Sequence, residues 1–348
     1  MRYPKKLLKG GTIGFVAPSF GCQTEPYRSA FSNAQKKFTD LGYKLALGPN
    51  CYAAEGIGIS NLPEKCAAEL MEYYCEKKDV DCLISCGGGE LMCEILPYLD
   101  FAKIKSAEPK WYMGYSDNTN FTYLLATLAD TASVYGPCAA AFGMEPWHES
   151  LKDAMGLLTG TSSEVKGYPF WEKDSLKTPE TPLVPYHVTE KRMIRAFLGK
   201  KEVTGKEELV MQGRLLGGCM DCLVTLLGTR FDQTREFVER YRKDGILWFL
   251  EACDLNVFGI RRAMWQMEQA GWFEHVKGFL IGRPLCFGQE MMGLDAYQAI
   301  LEVAGQKGVP VLMDVDLGHL APMMPLIVGS MSEVIYRDNE VFVKMHPC

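Results

Sequence analysis

Over the first 150 residues, short apolar runs alternate with amphipathic stretches. The runs at 12–17, 43–47, 80–85 and 111–115 are rich in aliphatic and aromatic side chains and bounded by Gly, Pro, Ser or Asp, which predicts strands. Between them, 64–78 sets Ala67, Leu70, Met71, Tyr74 and Cys75 at helical spacing, and 119–128 forms a second apolar helical stretch. Strand, helix, strand, helix is the signature of βαβ units that build a parallel sheet. In such sheets ligands gather beyond the carboxyl ends of the strands, so polar residues that terminate apolar runs are the first candidates for chemistry.

The alternation stops at 161–188, where TSSEVKGYPFWEKDSLKTPETPLVPYHV carries the Pro, Ser, Thr and Lys content of a loop. This predicts an N-terminal α/β domain over 1–160, a linker loop over 161–188 and a C-terminal α/β domain over 189–348. In the last of these, 221–229 reads as a helix, 245–250 as a strand, 258–272 as a long amphipathic helix and 276–284 as a strand. The tail has period-two segments on either side of Asp338-Asn339, a pair that tolerates positive φ and predicts a hairpin. No internal repeat is found. A chain of 348 residues suits two domains of roughly 150 residues each.

Composition narrows the function. Apolar residues at 47% and charged residues at 23% describe an ordinary folded protein, and a net charge of -6 without a basic stripe argues against nucleic acid or an anionic membrane surface. The N-terminus runs directly into the first strand, and no stretch approaches the roughly 20 apolar residues of a membrane span, so no signal peptide is expected and a cytoplasmic site is. Thirteen cysteines at irregular spacing then read as buried thiols in a reducing compartment. Cys219-Met220-Asp221-Cys222 is a lone C-x-x-C, which reads as two small residues opening a helix, and Asp314 with Asp316 falls short of a coordination set. Neither a metal nor a cofactor is expected.

Three polar residues stand at or just beyond strand ends: Ser116 after 110–115, Glu251 after 246–250, and His319 after the run 309–313 and a short acidic loop. These are the types needed to activate a serine, since a hydroxyl at neutral pH is a poor nucleophile until an imidazole takes its proton and a carboxylate orients that imidazole. Each has a plainer alternative, and spacing leaves both open. Ser116 or Asp117 suits a helix N-cap, Glu251 suits an ion pair with Arg261 or Arg262, and His319 suits a solvated loop. The sequence Gly114-Tyr115-Ser116-Asp117-Asn118 resembles the G-x-S-x-G elbow except that its last position, Asn118, tolerates left-handed backbone less freely than Gly. Gly87-Gly88-Gly89 follows a strand without dinucleotide or P-loop spacing, which suits an anion or oxyanion site.

Six ordered blocks resemble the LD-carboxypeptidase family of serine peptidases, which includes the microcin C immunity peptidases. They are GGTIGFVAPS, DVDCLISCGGGELMCEILPYLDF, KWYMGYSDNT, GRLLGGCMDCL, the Glu251 segment and GHLAPMMPLIVGS. The resemblance implies a Ser-Glu-His triad on Ser116, Glu251 and His319, with an oxyanion hole from the amides of Gly88 and Asp117. It also implies an N-terminal flavodoxin-like parallel-sheet domain, a C-terminal barrel-like mixed α/β domain, and a homodimer.

The expected reaction is serine-type hydrolysis of an amide, either release of the terminal D-alanine of a murein tetrapeptide or cleavage of a peptidyl or aminoacyl nucleotide. The carboxypeptidase branch usually has Arg-Gly-Gly-Tyr-Gly where this chain has Cys86-Gly87-Gly88-Gly89-Glu90, and the family as a whole usually has Asn where it has Cys219. Gly87 and Gly89 are further substrate-contact candidates. Arg214 or Arg283 would grip a free carboxylate, and Trp171 or Trp147 would stack a base. A non-catalytic two-domain protein that binds a small ligand is the alternative function.

Overall fold

The computed structural model describes residues 1–204 and 207–347. Two compact units divide the chain: residues 1–162 with 174–187, and residues 163–173 with 188–348. The stretch 161–188 is therefore shared between the units.

The first unit contains β1 (Thr12–Val16), α1 (Tyr27–Asp40), β2 (Lys44–Leu47), α2 (Pro63–Met71), β3 (Cys82–Ser85), α3 (Phe101–Ser106), β4 (Trp111–Gly114), α4 (Thr119–Thr127), β5 (Ser133–Tyr135) and α5 (Glu149–Thr159). Its strands are parallel and ordered β5-β4-β3-β1-β2, the flavodoxin-like sequence in which the chain reverses direction across the sheet at β1 and β3. Strands β3 and β4 are buried at every residue, as sheet strands covered on both faces must be. All nine residues of α4 are buried as well, so the helix leaving β4 is locked in the core. The run predicted as one helix over 64–78 continues from α2 as a π-helix, Glu72–Glu76, in which Tyr73, Tyr74 and Cys75 are buried. Buried Lys110, on the approach to β4, donates from Nζ to the carbonyl of Tyr73 at 2.7 Å and to that of Lys77, satisfying acceptors that the wider helix turn leaves at its end.

The second unit continues with β6 (Glu164–Lys166), β7 (Phe170–Trp171), β8 (Glu190–Lys191), β9 (Arg195–Leu198), β10 (Lys201–Glu202), β11 (Leu209–Cys219), α6 (Met220–Leu226), α7 (Thr234–Arg240), β12 (Ile246–Glu251) and α8 (Val257–Gln269). It closes with β13 (Val276–Gly282), β14 (Glu290–Met291), β15 (Leu294–Asp295), α9 (Ala296–Ala304), β16 (Pro310–Val315), β17 (Leu326–Val328), β18 (Met331–Arg337) and β19 (Glu340–His346).

A mixed sheet runs β10-β9-β16-β13-β12-β11-β18-β19-β6. Its centre, β11 to β12 to β13 to β16, is parallel, and the flanking pairs are antiparallel. The predicted hairpin is present: Asp338 and Asn339 both have positive φ, 50° and 63°, between Arg337 and Glu340, the mirror-image turn that matches strand twist. No helix among the described residues is long and apolar enough to cross a membrane, and the twelve described cysteines are all free.

Candidate active site

In the first unit, β4 ends at Gly114, and the chain turns through a single 3₁₀ turn, Ser116–Asn118, into α4. Ser116 carries the turn with φ of +62°, a left-handed conformation that a non-glycine residue enters at a cost of about 1–2 kcal/mol. The left-handed position is thus Ser116 itself. Asn118, whose geometry was the doubtful point in the sequence, is right-handed with φ of -62°.

The residues at the N-cap positions of the 3₁₀ turn and of α4, Tyr115 and Asn118, make no side-chain cap hydrogen bond. Asp117 turns its carboxylate elsewhere, with Oδ2 accepting from Ser19 Oγ at 2.6 Å and from the Met92 amide at 2.9 Å, and Oδ1 accepting from Asn120 Nδ2 at 3.0 Å. Burial pushes its pKa up, against the pull of these donors.

Asn118 ties the turn to its neighbours. Its Nδ2 donates to the Gly87 carbonyl at 2.9 Å and to the Tyr115 carbonyl at 3.0 Å, while its Oδ1 accepts from the Tyr112 hydroxyl. The Ser116 amide donates to the Tyr135 hydroxyl at 3.1 Å. The glycine loop 87–89 is pinned from the other side by the Phe20 amide, which donates to the Gly88 carbonyl at 2.8 Å. A Cβ at Gly88 would stand 3.1 Å from Ser116 Cβ and 3.3 Å from its Oγ, so a glycine here lets the loop lie directly against the serine. Ser116, Asp117 and Gly88 are brought together, with Gly87 and Gly89 on either side of the contact.

In the second unit, Glu251 is the last residue of β12, 1% exposed and in register with Cys219 of β11. His319 Nδ1 lies 3.0 Å from Glu251 Oε2, with the carboxyl side chain at 0% exposure and the imidazole at 15%. Gly318 is left-handed with φ of +100°, and a Cβ there would stand 2.7 Å from Glu251 Oε2, so the Gly-His pair is what allows the ring to close on the carboxylate. Burial alone would lower the pKa of His319. The Glu251 charge, with hydrogen bonds to Cys253 and Glu251, outweighs it and holds the imidazole well above its ordinary value of 6.5. Glu251 thus meets a histidine where the sequence also allowed an arginine, and Arg261 donates instead to the Gln298 carbonyl at 3.4 Å.

The substrate-contact candidates divide differently. Arg214 pairs with Ile246 at the opposite end of β12, five register steps from the Glu251 pair and so roughly 16 Å along the strand. Its guanidinium is held by Asp244 at 2.5 Å and the Gly329 carbonyl at 2.6 Å, and lies 3.9 Å from the centre of the Tyr241 ring. Arg283 is 1% exposed, donates to the Asp314 carbonyl at 2.7 Å and pairs with Asp316. Trp171 is 5% exposed, with the Arg283 guanidinium 4.9 Å from its ring centre and the Phe287 ring edge-on at 5.1 Å. Arg214, Arg283 and Trp171 are thus each held by partners within the second unit. Trp147 packs on Phe38 and Phe142, at 5.9 and 5.4 Å between ring centres. Among the described residues no group of three or more His, Cys, Asp and Glu side chains is placed to hold a metal ion.

Sequence reasoning missed Ser19, Tyr135 and Cys253. Ser19 stands three residues beyond the end of β1, and the strand-end rule that found Ser116 reaches it; nothing local marks the other two. If the left-handed backbone at Ser116 stores strain, Ser116→Gly should raise stability. Relief of about 1–2 kcal/mol, less about 0.5–1 kcal/mol for the freer unfolded chain, leaves a net gain near 0.5–1 kcal/mol in urea unfolding. An unchanged or lower stability would mean that the turn is relaxed in solution.

The LD-carboxypeptidase N-terminal domain model matches residues 13–136, and the LD-carboxypeptidase C-terminal domain model matches residues 212–334. The microcin C7 self-immunity protein MccF of Escherichia coli is 25% identical over 97% of this chain and 94% of its own length. A probable murein peptide carboxypeptidase of Bacillus subtilis is 25% identical over 94% of this chain and 89% of its own. Among solved structures, an MccF-like protein from Bacillus anthracis shares the fold with a TM-score of 0.82, at 22% identity over 99% of this chain and 100% of its own. MccF bound to glutamyl sulfamoyl guanosine reaches 0.79, at 21% identity over 99% and 98%. The chain belongs to the LD-carboxypeptidase family of peptidases.

Proposed function

We propose that this protein is a serine-type hydrolase that cleaves a small peptidyl amide, with Ser116 as nucleophile and His319, oriented by Glu251, as its base. The observation that carries the reading is the left-handed Ser116 at the junction of β4 and α4, a strained turn of the kind that lifts a nucleophile clear of its strand. Two features support it: the close approach of Gly88 to Ser116, and the 3.0 Å pair between His319 and a fully buried carboxylate. In the mechanism, Ser116 Oγ attacks the carbonyl carbon and His319 takes its proton. The amides of Gly88 and Asp117 donate to the oxyanion, and His319 returns the proton to the leaving nitrogen. Water, deprotonated by the same imidazole, then releases the acyl group and regenerates Ser116.

Of the two substrate classes in the family, the aminoacyl or peptidyl nucleotide is the better supported. A carboxypeptidase needs a cation for the free terminal carboxylate, and both arginine candidates are already paired with aspartates. The glycine loop also lacks the arginine of the carboxypeptidase branch. MccF, one of the proteins this chain resembles, has been solved with an aminoacyl sulfamoyl nucleoside. A cytoplasmic homodimer is proposed with this reading. Free cysteines throughout the described chain accord with a reducing compartment, and the dimer rests on the family resemblance.

Incubation with an aminoacyl sulfamoyl-adenosine and, separately, with a murein tetrapeptide should release product from the first. Ser116→Ala should lower kcat on the order of 10⁶-fold, and a variant that keeps full activity would refute the nucleophile. The pH profile supplies a further check. The base must be neutral to act, and Glu251 favours its protonated form, so the acidic limb of kcat/KM should lie above 6.5. Glu251→Gln removes the charge that raises the pKa but not the burial that lowers it, and should move that limb to lower pH while reducing kcat. A limb that stays in place would detach Glu251 from His319.

A further inference from the structure

The ladder between β11 and β12 ends at Cys219 and Glu251. Beyond Glu251 the chain leaves the sheet, and the next backbone amides lose the neighbouring strand as a source of acceptors. Asp221, in the first turn of α6, takes its place. Its Oδ2 accepts from the Cys253 amide at 3.0 Å, and its Oδ1 accepts from the Asp254 amide at 3.0 Å and the Leu255 amide at 3.1 Å. The Cys219 thiol donates to the same Oδ2 at 3.3 Å. Three successive amides converging on one anion form a backbone nest, and here the chain fills it with its own carboxylate.

The loop so held follows directly on the carboxylate that orients the proposed base. Glu251, two residues before Cys253, accepts from His319, and Cys253 is among the groups that hold the imidazole's pKa up. The far side of the loop is fixed independently, by the Leu285 amide donating to the Ala252 carbonyl at 3.1 Å and by Asn256 capping α8 through the Gly259 amide at 2.9 Å. Asp221 therefore governs the middle of a short segment whose ends are already anchored. That middle begins two residues beyond the carboxylate that holds His319.

We propose that Asp221 is a positioning residue, which sets the orientation and basicity of His319 by clamping residues 253–255 behind it. The proposal rests on His319 acting as the base with Glu251, and it adds a residue that touches neither substrate nor imidazole. The C-x-x-C motif containing Asp221 acquires a role with it: the aspartate is the working member, and the Cys219 thiol is one more donor to its carboxylate.

The two isosteric oxygens make the proposal specific. In Asp221→Asn, the oxygen can keep the Asp254 and Leu255 amides, but the amide nitrogen then faces the Cys253 N–H as donor against donor. Asp221→Ala releases all three. The expected order of effect is therefore wild type, Asn, Ala.

The test follows the five histidine ring resonances of the full-length protein by NMR against pH, with His319 assigned by its loss in His319→Gln, alongside steady-state hydrolysis of an aminoacyl sulfamoyl-adenosine. In Asp221→Ala the His319 titration should move down toward 6.5, and kcat should fall on the order of 10²-fold with KM within about 2-fold, the scale of an active group displaced by about 1 Å. Asp221→Asn should lie between. A folded Asp221→Ala protein, by circular dichroism, whose His319 titration and kcat both match wild type would overturn the proposal. Should the alanine variant fail to fold, the asparagine variant decides by the same two readouts. The titration does not depend on turnover, so a wild-type protein that hydrolyses nothing would refute the assigned function while leaving the role of Asp221 testable.

Discussion

Ser116 occupies a backbone well that costs an L residue about 1–2 kcal/mol, and the first unit is arranged so that no relaxed alternative is better. Moving Ser116 to right-handed geometry would break its amide hydrogen bond to Tyr135 and swing Asp117 away from Ser19 and Met92. It would also draw Asn118 off the Gly87 carbonyl. Each of those bonds is worth about 1 kcal/mol when made, and more when a buried partner is left unsatisfied, so together they exceed the strain. The donors and acceptors come from β1, β3, β4 and β5 and the loops that follow them, which is why the turn is a property of the whole sheet edge.

A shared device operates in the second unit. Asp117 and Asp221 both spend their carboxylates on the protein's own donors, holding loops that lie beside groups with proposed chemistry. The device has a cost in the first unit, where burial raises the pKa of Asp117. The two carboxylates differ in what they hold. Asp117 joins a strand-end hydroxyl, a loop amide and a side-chain amide, whereas Asp221 gathers three consecutive amides of one loop. The first arrangement fixes a junction between elements, and the second fixes the curvature of a single segment.

What was legible in the sequence followed from local physics. The four strands predicted from apolar runs are β1 to β4 within a residue or two; β1, β3 and β4 are buried almost throughout, and a strand covered on both faces has to be apolar, whereas β2 lies at the sheet edge with both its ends exposed. The Asp338-Asn339 hairpin was readable because few residue pairs accept two positive φ angles in succession. β5 was not, since Ser133-Val134-Tyr135 is three residues long and reads as a strand only against β4. The helix α1 was also passed over. Its buried positions, Ala30, Phe31, Ala34 and Phe38, are diluted by polar residues that solvent accepts. At the site, residue types and strand ends pointed to Ser116, Glu251 and His319, but the separation of 68 positions between Glu251 and His319 hides their contact from any local rule. The turn at Ser116 was open for a similar reason, because a cap and an elbow use the same residues and differ only in φ.

The arginines show what residue type alone leaves out, namely the partners a side chain already has, and this bears on recognition. By type, a guanidinium near a strand end is a natural grip for a carboxylate. Arg283, however, is buried against Asp316 and the Asp314 carbonyl, with its Nε lacking a partner among the described residues. Breaking a buried pair of this kind by removing one member leaves an uncompensated charge and costs about 3–5 kcal/mol. A substrate carboxylate that drew Arg283 away would strand Asp316 in that state, while also giving up its own hydration. Asp316 has a second commitment, since its Oδ2 accepts the Tyr168 amide at 2.7 Å. The strand end next to β12 thus has a positive charge that is structurally consumed. Recognition of an anionic terminus would need another cation, and a substrate held through backbone amides and apolar contacts would not.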